Sequence, residues 1–158
     1  MLFNGALGMS GILFVVLQQF FMDYFMRLRA AGLLSTAKTR LVRSSLIGIG
    51  VALVIVGLVP FDINDLFNAV HSAAAYTLMA ILFGHMLFAR RLIPSFSREF
   101  YAATWIMVAA LAVMLLLHFL GSINTMGIEL LGFIVAGAWF LMFMKNVELL
   151  VGSIEGQA

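Results

Sequence analysis

Hydrophobic positions run through this chain in long blocks rather than in alternation. Residues 2–22, 44–61, 66–89, 101–120 and 126–144 are apolar for most of their length. A helix crossing a bilayer needs about 20 such residues, whereas a transmembrane strand shows about ten residues of alternating polarity, a pattern that none of these stretches has. The pattern predicts an all-α integral membrane protein with one transmembrane domain over residues 1–158. The connections are short except for 23–43, so consecutive helices should pack antiparallel as a five-helix up-down bundle. No Lys or Arg precedes the first stretch, which is also too long for a cleavable signal, and it is therefore read as a span. Pro60 ends the second stretch, and Pro94 sits in a connection with Ser95 and Ser97.

The charges sort across this pattern. Arg27, Arg29, Lys38, Arg40 and Arg43 lie between the first two spans, Arg90, Arg91 and Arg98 between the third and fourth, and Lys145 after the fifth. With five spans all nine basic residues fall on one side. The positive-inside rule makes that side cytoplasmic, with the N-terminus out and the C-terminus in. Residues 27–43 read as a solvated loop or as an amphipathic segment lying on anionic headgroups. Phe100, Tyr101, Trp105 and Trp139 fall near the same interface, as an aromatic belt would.

Composition agrees: 64% of the residues are hydrophobic and 10% charged, against roughly 45–50% and about 25% in soluble domains. A net charge of +2 without a basic block argues against nucleic-acid binding. The chain has no cysteine, so a metal would need His, carboxylate or Met ligands. No phosphate loop, nucleophile elbow or HExxH motif occurs. Small residues punctuate the spans: Gly48, Gly50 and Gly57 in the second, Ala73, Ala80 and Gly84 in the third, Gly127, Gly132 and Gly137 in the fifth. Helices in lipid associate by close backbone approach, so these are the expected contact faces, more than one small bundle can use internally.

Ionisable groups within spans are costly and are functional candidates by default. His71, His118 and Glu129 come from three spans, and Asp62 and Asp65 from the connection before the third, all at one level near the outer surface; His85 lies deeper on the inner side. A carboxylate beside a histidine, such as Glu129 with His118, is an acid–base or metal-ligand unit, which makes His71, His118 and Glu129 candidate zinc ligands. The plainer alternative is that Asp62 and Asp65 cap the third helix and the histidines bond to backbone or water. His71 and His85 are fourteen residues apart, within about 40° on one helix face and about 21 Å apart along it, the arrangement of a haem b pair. His118 could complete ligation at the level of His71, while His85 would need Met107 or a partner subunit. Gln18, Gln19, Asn4, Asn68 and Asn124 read most simply as interhelical hydrogen-bond formers.

Gly57-Leu-Val-Pro-Phe-Asp62, followed by Asn68-Ala-Val-His71-Ser-Ala-Ala-Ala75, resembles the bacterial membrane family called domain of unknown function 998, related to the Frag, DRAM and Sfk-type multipass proteins. Thr125-Met-Gly-Ile-Glu129 resembles that family's acidic opening of its last helix. The matching positions are Asp62, His71 and Glu129; His85 and His118 are not clear matches. The resemblance implies a multipass fold, usually with one further N-terminal span, rather than a settled activity.

Three functions follow from this reading. The first is a noncatalytic subunit of a bacterial inner or plasma membrane that contacts lipid and a protein partner or a second copy. The second is a metal-dependent lipid head-group hydrolase at the outer leaflet, with Asp62, His71, His118 and Glu129 as catalytic candidates. The third is a b-type haem electron carrier using His71, His118 and His85.

Overall fold

A computed structural model describes residues 2–59 and 63–156, apart from the side chains of residues 2–4, 6, 7, 125 and 126. The described residues form α1 (Leu2–Ala30), α2 (Thr36–Leu58), α3 (Asp65–Leu92), α4 (Arg98–Phe119) and α5 (Thr125–Glu155). Each helix is long and apolar enough to cross a membrane. Helices satisfy every backbone group internally, as hydrocarbon requires. The chain divides into two compact units, Met1–Leu82 and Phe83–Ala158.

Most helix ends outrun the apolar stretches on the basic side. The connection expected at 23–43 is a turn of residues 31–35, so Arg27 and Arg29 close α1, and Lys38, Arg40 and Arg43 open α2. Residues 27–43 are therefore mostly the ends of two helices rather than a loop. Charged turns continue a helix wherever no Gly or Pro stops it, and Asp23 supports this one through an i, i+4 pair to Arg27 at 2.8 Å. Lys145 likewise sits inside α5 and pairs with Glu148 at 3.0 Å.

Glycine and capping side chains set the ends. Gly32 takes φ +76°, the Leu33 N–H donates to the Leu28 carbonyl and the Gly32 N–H to that of Arg29, forming a Schellman cap. Gly121 repeats it at φ +74°, with Ser122 donating to Leu117 and Gly121 to His118. Ser35, Ser97 and Asn124 are N-caps of α2, α4 and α5. Asn64, rather than Asp65, caps α3 by accepting the Phe67 N–H at 3.0 Å. Asp62, like Pro60, lies outside the described residues, and Asp65 is the exposed first residue of α3. Asn124 is thereby a cap and not an interhelical bridge.

In the first unit α1 and α2 cross at backbone distance. A Cβ on Gly11 would lie 2.6 Å from the Val54 nitrogen and 2.8 Å from the Gly50 carbonyl oxygen. Gly8 faces Leu58 and Gly57, while Gly50 faces Val15. Contacts that rise along α1 as they fall along α2 make the pair antiparallel. Farther down, Phe25, Leu28 and Leu34 are buried with Val42, Leu46 and Ile49 on α2. Val56, Ala74 and Ala75 form a separate small cluster between α2 and the start of α3.

The second unit packs around aromatic rings. Phe96 and Phe100 meet edge to face at 4.8 Å, and Trp139 stacks on Phe143 at 5.1 Å. Trp139 is 1% exposed, and its indole N–H donates to the Thr104 hydroxyl at 3.0 Å, which in turn donates to the Phe100 carbonyl at 2.8 Å. Phe100 and Trp139 are therefore core residues and not lipid-facing belt residues, because a buried indole needs a partner and Thr104 supplies it. Trp105, by contrast, is 59% exposed.

Candidate functional site

The sequence candidates fall on both units. His71 projects from the second turn of α3 in the first unit and is buried. Its Nδ1 lies 2.7 Å from the carbonyl oxygen of Val59, the residue that ends α2. A carbonyl only accepts, so Nδ1 carries a proton and donates. In the second unit His118 closes α4, its Nδ1 2.9 Å from the Ile123 carbonyl oxygen in the turn to α5. The two imidazoles thus do one task in two places, tying a helix to the chain at a connection that carries no basic residue.

Glu129 occupies the second turn of α5 and is half-buried. No hydrogen bond or ion pair joins it to His118 among the described residues. Within either unit, no group of three His, Asp or Glu side chains is gathered for a metal ion among the described residues. His85 is half-buried in α3. Of the residues that carry the family resemblance, Asp62 is outside the described residues, His71 is a backbone tie and Glu129 stands at a helix start.

Two features were not read from the sequence. Gln18, expected to bridge helices, is buried in α1, and its side-chain carbonyl oxygen has no hydrogen-bond partner among the described residues. Where α3 ends and α4 begins, Arg90, Arg91, Tyr101, Thr104 and Trp105 line a groove of about 480 Å³. The sequence signal for the groove was present as a pair of arginines followed ten residues later by aromatic residues at i and i+4, but it reads equally well as interface composition.

The chain matches no protein-family model, no curated protein and no solved structure.

Proposed function

We propose that the chain is a noncatalytic multi-pass protein of the cell membrane, bacterial inner or plasma membrane, whose work is to hold lipid and a second membrane-embedded chain. The observation that carries this reading is the non-basic half of α4. Every residue from 109 to 119 is exposed or half-buried, with Phe119 77% exposed, although the segment is apolar throughout except for His118. Ala109, Ala110 and Ala112 keep part of that surface shallow enough for a neighbouring helix to approach closely. Gly84 and Gly137 have open space where a side chain would stand, so the expected contacts of these two glycines are not made among the described residues. Charge sorting supports an orientation with the N-terminus outside and the basic helix ends in the cytoplasm.

A cysteine-free chain allows both parts to be tested with single cysteines. Ala110→Cys in native membranes should give an oxidant-dependent adduct, either a dimer or a cross-link to a partner. A yield no higher than from Leu141→Cys, on an exposed face of α5, would count against the reading. An impermeant maleimide should label Ser122→Cys in intact cells and Ser95→Cys only after permeabilisation; the reverse pattern inverts the orientation.

A haem or zinc reading is favoured by one observation, the tie of the His118 Nδ1 to the Ile123 carbonyl, since metal-ligating histidines are usually oriented through their other nitrogen. An absorption spectrum with metal analysis of gently solubilised protein distinguishes it: a Soret band selects a haem electron carrier and stoichiometric zinc the head-group hydrolase. The interaction protein predicts neither.

A further inference from the structure

We propose that the groove between the end of α3 and the start of α4 is a site for one anionic phospholipid, with its phosphate on Arg90 and Arg91 and an acyl chain laid along Leu87 and Trp105. The proposal rests on the membrane reading above and adds a ligand class and a place. At about 480 Å³ the groove falls within the roughly 300–1,000 Å³ of small-molecule sites, and all of its lining belongs to the second unit.

The polarity of the lining identifies the ligand. The Tyr101 hydroxyl donates to the Ile93 carbonyl, and the Thr104 hydroxyl is engaged by the Phe100 carbonyl and the Trp139 indole. Both groups are committed to the fold. Selection among headgroups falls to the guanidiniums, which rest against rings: Arg90 lies 5.9 Å from the Tyr101 centroid and Arg91 5.6 Å from that of Phe88. Ring faces orient a guanidinium plane at the groove, and a guanidinium is shaped for phosphate oxygens. No Asp or Glu is among the lining residues, so the wall carries two positive charges against none. A zwitterionic headgroup would bring an ammonium to two cations, whereas an anionic phosphodiester brings only the complementary charge. The accessible part of the remaining wall, Leu87, Phe88 and Trp105, suits hydrocarbon. Tyr101 and Trp105 are the residue types that settle at the headgroup level, where such a phosphate would lie.

Tryptophan fluorescence reads the site directly, because Trp105 is exposed while Trp139 is buried. The full chain is reconstituted in phosphatidylcholine bilayers containing a minor fraction of chain-brominated lipid, either phosphatidylglycerol or phosphatidylcholine. Brominated phosphatidylglycerol should reach half-quenching at a lower mole fraction, by about fivefold for each guanidinium engaged. Arg90→Gln with Arg91→Gln should make the two lipids equivalent. Arg98→Gln removes the same kind of charge just outside the lining and should keep the preference. Equal quenching by both lipids in the wild type overturns the proposal, as does an Arg98→Gln loss as large as that of the double variant, which would indicate diffuse surface charge. Unchanged gel-filtration profiles show that the variants fold. The Ala110→Cys adduct does not depend on this groove, so an intact adduct with no lipid preference rejects the site and leaves the proposed function standing.

Discussion

Gly11→Ala should lower the stability of the first unit, although alanine is the better helix former by about 1 kcal/mol. The added methyl would sit 2.6 Å from the backbone nitrogen of Val54 and 2.8 Å from the Gly50 carbonyl oxygen, and neither atom can rotate away as a side chain could. The two helices must separate, and they lose close contacts along the crossing. Gly11→Leu should cost about 3 kcal/mol or more, at the upper end of overpacking penalties. Gly137→Ala is the control of opposite sign: Gly137 is exposed in α5 and, among the described residues, nothing beyond its own stretch of helix comes within 4 Å of an added Cβ, so the substitution should be neutral or stabilising by up to about 1 kcal/mol. Unfolding in sodium dodecyl sulfate, followed by circular dichroism from a fixed detergent micelle, measures both. A Gly11→Ala protein as stable as the wild type would mean that α1 and α2 do not cross at these glycines.

The second large effect belongs to the aromatic core of the other unit. Trp139→Ala should cost about 3–5 kcal/mol, the range for removing a large buried ring. Thr104→Val has nearly the same shape as the native residue but strands the indole N–H, and should cost about 1–3 kcal/mol. The two are separable by a double-mutant cycle. In a Trp139→Phe background, which has no N–H to satisfy, Thr104→Val should cost less than in the wild type, and the difference is the coupling across the 3.0 Å bond. Additive effects of Thr104→Val and Trp139→Phe would show that the bond contributes nothing and that Trp139 acts by volume alone.

The number and type of elements were legible in the sequence because the constraint behind them is coarse. Lipid demands contiguous apolar residues and offers the backbone no partners, so five apolar stretches read as five helices. The ends were less legible. Hydropathy locates hydrocarbon, whereas a helix stops where its caps are, and the Ser35 cap places the start of α2 eight residues before the apolar run from residue 44. Gly50 was recognised as a contact residue, but its counterpart Gly11 was not, because a glycine in an apolar block has no visible face until a neighbour is assigned. Trp139 and Phe100 share the composition of a lipid belt; which way they turn depends on the hydroxyl of Thr104, thirty-five residues from the tryptophan. The histidines were legible as candidates, but their partners are the backbone carbonyls of Val59 and Ile123, and a backbone acceptor leaves no mark in the residue types.

The five-residue turn at 31–35 also bears on the order of assembly. Pairing α1 with α2 closes a short loop, and the entropy of closure grows with loop length, so this contact is among the least costly the chain can make. Segments that touch near their shared turn form quickly and need nothing from the rest of the chain. The first two helices can therefore leave the insertion machinery as a finished hairpin while α4 and α5 are still being synthesised, and a substitution that separates the hairpin would act during biogenesis, on the yield of inserted protein, before it acts on the stability of the mature protein.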